Sequence, residues 1–165
     1  MKSLVTYYTV TGNTEKLARA IYEVIETEKD ILPIQEVQHL DRYDIIFCGF
    51  PVHSHSVPIS VQDFIKSLPP GKKLAIFSTH GSLRGGRLAK SAIEHAVSLA
   101  SKSKLLGTFG CRGKVDPKVI DKLMKQPEHR AWAQEAQSAA RHPDQPDLED
   151  CKDFAKKIVA KALSA

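Results

Sequence analysis

Three cysteines in 165 residues, Cys48, Cys111 and Cys151, are odd in number and widely spaced. That excludes a disulfide framework and a paired Cys-x-x-Cys metal site, and leaves reduced thiols as the expectation. No apolar run approaches the roughly 20 residues of a membrane span, so neither a spanning helix nor a membrane partner is expected. The chain has no Gly-x-x-x-x-Gly-Lys-[Ser/Thr] loop, the usual cradle of a nucleoside triphosphate. Tryptophan occurs once, as Trp132. Acidic residues nearly vanish from residues 66–114, which carry one Asp/Glu against ten Lys/Arg. Residues 1–65 carry nine acidic against five basic, and residues 115–165 nine of each, so the net charge of +5 comes from the middle of the chain. Such a block favours anionic partners or substrates by raising their local concentration. No nucleic-acid-binding motif accompanies it, which argues against nucleic acid.

What is present suits one domain around one core: 42% of residues are hydrophobic, and domains cluster at roughly 100 to 150 residues. We read residues 1–165 as a single domain. A lone Lys2 before a strand-length apolar run does not read as a signal peptide, and the expectation is a cytoplasmic protein. Strand patterns fall near residues 2–8, 30–35, 44–50, 73–79 and 104–110. Helical patterns fall near 13–28, 58–68 and 86–101, with Pro58 suited to a first turn and Gly85-Gly86 to a tight turn into the third helix. This alternation predicts a three-layer α/β fold with helices on both faces of a five-stranded parallel sheet, and the right-handed crossover rule favours the order 2-1-3-4-5.

The segment at about 115–147 is longer than an ordinary connection and reads as a helical insertion. Its patterns run around Lys118 to Lys125 and Glu128 to Arg141, broken by Gln126-Pro127 and by His142-Pro143-Asp144-Gln145-Pro146. It is either a partner platform, a partial cover over a ligand, or a solvated insertion with no direct role. A final helix follows, with Asp147 as its expected N-cap and Leu148, Cys151, Phe154, Ala155, Ile158 and Val159 on one face.

Directly after the first strand comes Thr9-Val10-Thr11-Gly12-Asn13-Thr14, directly before a helical pattern. Three hydroxyls, a glycine and the unpaired N–H groups of a helix start suit one phosphate, because the helix N-terminus presents free donors and the positive end of its dipole. A dianionic monoester held by neutral donors points to FMN before ATP. The loop resembles the phosphate loop of the flavodoxin-like family, and the resemblance extends over most of the chain. It implies that Thr9, Thr11, Gly12, Asn13 and Thr14 hold the phosphate of FMN, with Val10 contributing its backbone, at the switch point of the sheet. The bland alternative is a capped strand-to-helix turn.

The same resemblance assigns one wall of the flavin site to the loop holding Pro51, Val52, His53, Ser54 and His55. It assigns the other to Thr79, His80, Gly81, Ser82 and Leu83, with Gly85 and Gly86. The aromatic residues that many flavodoxins carry in these walls are missing, so Val52, His53 or His55 is expected against the ring. The tyrosine and acidic residues frequent in the second wall are missing too. Arg84 and Arg87 stand nearby, and a basic site of that kind implies a less negative second reduction potential than in acidic family members. His53, His55 and His80 also fall on adjoining loops with imidazoles suited to zinc or iron, but no carboxylate or cysteine accompanies them, so no metal is expected. Cys111-Arg112-Gly113-Lys114 sets a thiol between cations. It is either an activated thiol or an ordinary small apolar residue at a strand end, and the second is the reading adopted. These four residues also resemble a stretch in a subgroup of small flavodoxin-fold proteins that includes the companion of bilirubin reductase, without fixing a substrate.

Three functions compete on this reading. The first is an FMN-binding electron-transfer protein serving a redox partner, a protein with an acidic docking surface or an anionic small-molecule acceptor. The second is an FMN-dependent NAD(P)H or quinone reductase, and the third a flavodoxin-fold interaction module without flavin.

Overall fold

The computed structural model describes residues 1–164. Its strands are β1 (Lys2–Tyr7), β2 (Glu28–Pro33), β3 (Ile45–Pro51), β4 (Lys73–His80) and β5 (Lys104–Arg112). Its helices are α1 (Asn13–Val24), α2 (Ile59–Ser67), α3 (Arg87–Leu99), α4 (Pro117–Met124), α5 (Arg130–Gln137) and α6 (Gln145–Ser164). The strands form one parallel sheet in the order β2-β1-β3-β4-β5, as expected from the sequence. The central strands are buried almost end to end, six of seven residues in β3 and seven of eight in β4, because helices cover both faces. On one face α1 and α6 pack Leu17, Ile21, Cys151 and Ile158 against Val5, Phe47 and Phe77. On the other, Val61 and Ile65 of α2 and Ala96 of α3 cover Leu4, Ile46 and Ile76. Among the described residues no helix is long and apolar enough to cross a membrane.

Some boundaries differ from the sequence reading for local reasons. α1 stops at Val24 rather than at 28 because Ile25 turns extended and the chain must reach β2, which pairs from Glu28 opposite Lys2. Lys2 Nζ fixes that start, 2.9 Å from Glu28 and 3.1 Å from Asp30. β2 therefore ends at Pro33, and Ile34–Glu36 forms a short 3-10 turn. Pro58 stands just outside α2, and Gly86 takes the corresponding place before α3. β5 runs two residues past 110, setting Cys111 opposite Thr79 and Arg112 opposite His80. Cys111 is thus a buried strand residue. Burial pushes its thiol well above the ordinary range, the reverse of activation by neighbouring cations.

The cap of α6 is a correction. Asp144, not Asp147, is the N-cap: its Oδ1 accepts the Asp147 N–H at 3.0 Å, and the Asp147 carboxylate reaches back to accept the Asp144 N–H at 2.9 Å. This is a reciprocal capping box. His142 Nδ1 lies 2.6 Å from the same Asp147 carboxylate. Burial alone would raise the pKa of Asp147, but these bonds outweigh it and hold it below the usual carboxylate range. With a depressed folded pKa, the contribution of Asp147 to stability is complete above the unfolded value of about 4 and is lost as the pH falls through the folded one. Asp147→Asn should therefore flatten the acid limb of a plot of melting temperature against pH. An acid limb of unchanged steepness would remove Asp147 from that role.

Candidate functional site

The carboxyl ends of β1, β3 and β4 converge on one cavity of about 690 Å³. After β1, Tyr8 N–H still bonds the Gly49 carbonyl at 3.0 Å, and then the chain folds over itself, with Thr9 Oγ1 accepting the Gly12 N–H at 3.0 Å. Gly12 has φ +89°, a conformation that a side chain disfavours, and it starts α1 with no side-chain cap. The first-turn N–H groups of α1 are thus left for another acceptor. Thr14 is buried with its hydroxyl 2.9 Å from that of Thr79, a pair with one proton to spare. Asn13 Nδ2 donates to the Lys114 carbonyl at 2.9 Å and ties the helix start to the chain leaving β5.

The loop after β3 turns tightly. His53 and Ser56 exchange backbone bonds of 2.9 and 2.8 Å, and Ser54 and His55 between them adopt left-handed φ of +47° and +61°. Such non-glycine strain persists only where the surroundings fix it. Here His53 sets its ring edge against Tyr8, His55 meets Trp132 at 6.0 Å between ring centres, and the Ser56 hydroxyl lies 2.7 Å from His95 Nδ1. Burial lowers the pKa of His53. At the end of β4, buried His80 donates from Nδ1 to the Ser82 carbonyl at 2.9 Å, which leaves Nε2 as the acceptor. Its pKa is lowered, by burial first and by Arg112 and Arg84 nearby, so the ring is neutral at ordinary pH.

Of the residues expected at the site, Val10, Thr11, Asn13, Pro51, Val52, His53, Ser54, His55, Thr79, His80, Gly81 and Ser82 line this cavity. Thr9, Gly12 and Thr14 lie in the same turn into α1 but outside the lining. Leu83, Gly85 and Gly86 lie outside the lining, Leu83 being exposed with its N–H on Glu135 at 3.2 Å. The three loop histidines share the cavity without forming a close cluster. Among the described residues the group with ligand atoms within 4.8 Å of one another is His142, Asp144 and Asp147, the cap of α6.

Two expectations change. Arg84 does not line the cavity: it pairs with Asp150 at 2.7 Å and lies over the Phe109 ring, while Arg87 is exposed elsewhere on the surface. The cation at the cavity is Lys114. Trp132, distant in sequence, forms a roof over the cavity together with Val115, Val119 and Leu123, and Leu88, Gly113, Asp116 and His129 complete the lining. Val119 and Leu123 of α4 recur at an interval of four in line with Val115 just before the helix, a second apolar stripe beside the buried Ile120. That stripe was the sequence signal for a cover.

A family model described as the flavodoxin domain matches residues 4–156. The flavodoxin-like domain-containing protein BilS of Clostridioides difficile is 33% identical, with 98% of each chain covered. An uncharacterized protein of Methanocaldococcus jannaschii is 29% identical over 96% of this chain and 99% of its own. Oxidised flavodoxin 2 from Bacillus cereus superposes with a TM-score of 0.66 at 19% identity, covering 98% of this chain and 99% of its own, a likeness of fold.

The roof rests on Gly81: a Cβ there would lie 2.5 Å from Val115 Cγ2 and 3.3 Å from Trp132 Cζ2. Gly81→Ala should push α4 and α5 outward, costing about 1–3 kcal/mol in urea unfolding and shifting the Trp132 emission to the red. Unchanged emission would mean that the roof does not rest on that residue.

Proposed function

The chain belongs to the flavodoxin domain family, and from that premise we propose that it is an FMN-binding electron-transfer protein. The observation that carries this reading is the junction of an uncapped helix start with a roofed, largely apolar cavity. The first supplies donors for a phosphate, the second a slot for a planar ring. The residues fit the group. The α1 first turn, Thr11, Asn13 and the remaining hydroxyl protons of Thr9 and the Thr14–Thr79 pair would hold the phosphate. Val52, Leu123 and Trp132 would bound the ring, and backbone groups of Pro51 to His55 and of Gly81-Ser82 would meet its polar edge. Bound there, FMN supplies the electron chemistry.

The protein's own contribution is binding, orientation and charge. Neutral His80 holds the second wall through Ser82 without adding a positive charge. Lys114 and Asp116, one of each sign, are the charged side chains along the cavity. The electrostatic tuning assigned to Arg84 and Arg87 therefore passes to Lys114, and it is moderated by Asp116. On this reading residues 1–165 form one domain of a cytoplasmic protein, and the segment 115–147 covers the site. The redox partner is a protein with an acidic docking surface or an anionic small acceptor.

A second reading, an FMN-dependent NAD(P)H or quinone reductase, is favoured by the exposed apolar margin of the cavity at Val10 and Val119, which offers a planar acceptor an entry once the roof of α4 and α5 opens.

Anaerobic titration of FMN-loaded protein with a chemical reductant, followed by NADPH added alone to the oxidised form, separates these readings. The expected result is stoichiometric FMN, stepwise reduction and no response to NADPH. Bleaching by NADPH alone would establish the reductase, and failure to retain FMN would leave a flavin-free interaction module.

A further inference from the structure

Across the wall made by Thr11, Asn13, Lys114 and Asp116 lies a second cavity, of about 460 Å³, which continues to Lys16 and Arg141. Three cations and one carboxylate border it. The carboxylate, Asp116, already accepts the Lys118 N–H at 2.8 Å as the cap of α4. Elsewhere Lys2, Arg19, Arg84 and Lys152 are each paired with a carboxylate. The side-chain heads of Lys16, Lys114 and Arg141 have no ion-pair or hydrogen-bond partner among the described residues. They reach this space from three separate places: the second turn of α1, the exit of β5, and the approach to α6.

The chemistry of the border narrows the ligand. An excess of two positive charges over negative matches a doubly charged anion better than a single carboxylate. The Thr11 hydroxyl, Asn13 and the uncapped start of α1 adjoin the same space, and such donors suit phosphate oxygens. We propose that Lys16, Lys114 and Arg141 form a cationic subsite for a phosphate dianion beside the phosphate loop. The phosphate is either that of the flavin itself or one carried by a second ligand. Only the first source rests on the flavin reading of the main cavity.

Calorimetry tests this with three probes at low and high salt: FMN and riboflavin into ligand-free protein, and inorganic pyrophosphate into FMN-loaded and ligand-free protein. Wild type is compared with a Lys114→Gln/Arg141→Gln double variant. Both side chains are exposed, and the bonds of residue 114 to Asn13 and His142 are made by its backbone, so the fold should persist. If the flavin's phosphate fills the subsite, the preference for FMN over riboflavin should fall about tenfold in the variant and weaken with salt. If a second ligand fills it, FMN-loaded wild type should bind pyrophosphate and the variant should not. An unchanged FMN-to-riboflavin ratio together with no pyrophosphate binding would overturn the subsite. If neither flavin binds, the flavin reading falls, and pyrophosphate binding to ligand-free wild type against variant decides the subsite alone.

Discussion

The guanidinium of Arg112 joins the second wall of the cavity to its roof. It donates to the carbonyls of Ser82 and Gly81 at 3.2 Å on one side. On the other it reaches the Glu135 carbonyl at 2.9 Å and the Ser138 hydroxyl at 2.8 Å. Only a planar fork of donors serves so many acceptors at once, and lysine lacks that geometry. The acceptors are neutral, so the charge of Arg112 is distributed rather than cancelled, and it adds to burial in keeping His80 unprotonated. Arg112 and His80 share the Ser82 carbonyl and stand opposite each other in the sheet register. The two extra residues of β5 thus set the relation of wall to roof.

The sheet and its order were legible because apolar runs at strand length, separated by helix-period patterns, have few ways to bury themselves. The tight turn from β1 into α1 was legible because Gly12 and the threonine hydroxyls act within six residues. The roof was not. α4 and α5 are short helices whose stripes are satisfied against solvent-facing or cavity-facing partners alike, and what decides between these is the bare surface of Gly81, 51 positions before Trp132. The cap of α6 was misread because Asp144 and Asp147 both have the right chemistry. Pro146 breaks the tie: with Asp144 as cap it falls in the first turn, where its missing N–H costs no helix bond.

The basic middle of the chain looked like one field, but the fold divides it between the two ends of the sheet. Lys73 and Lys104 open β4 and β5, so they stand at the edge away from the cavity. Lys72 donates hydrogen bonds to the carbonyls of Leu40 and Tyr43 at 3.1 and 2.6 Å, and Lys73 to that of Ala162 at 2.7 Å, which ties both ammonium groups down at that far edge. Arg84 is neutralised by Asp150. What remains free near the cavity is Lys114, joined by Lys16 and Arg141 from outside the basic block. Net charge by segment therefore misjudged both the size and the source of the field, because a parallel sheet sends strand starts and strand ends to opposite edges.

On the electron-carrier reading, the same arrangement sets how electrons would leave the site. Val10 and Val119 line the cavity and remain 62% and 44% exposed, which gives its mouth an apolar margin, and Lys114 stands beside them. A contact surface with an apolar centre and charged periphery is the usual anatomy of a specific docking site. Long-range steering would come from the cations, and contact from the valines. A small acceptor would have to pass beneath Trp132, where the His55 edge contact narrows the opening. A protein partner can dock on the margin without moving the roof. The geometry thus sets a lower conformational demand on the electron carrier than on the reductase, for which α4 and α5 must open before a second planar molecule can enter.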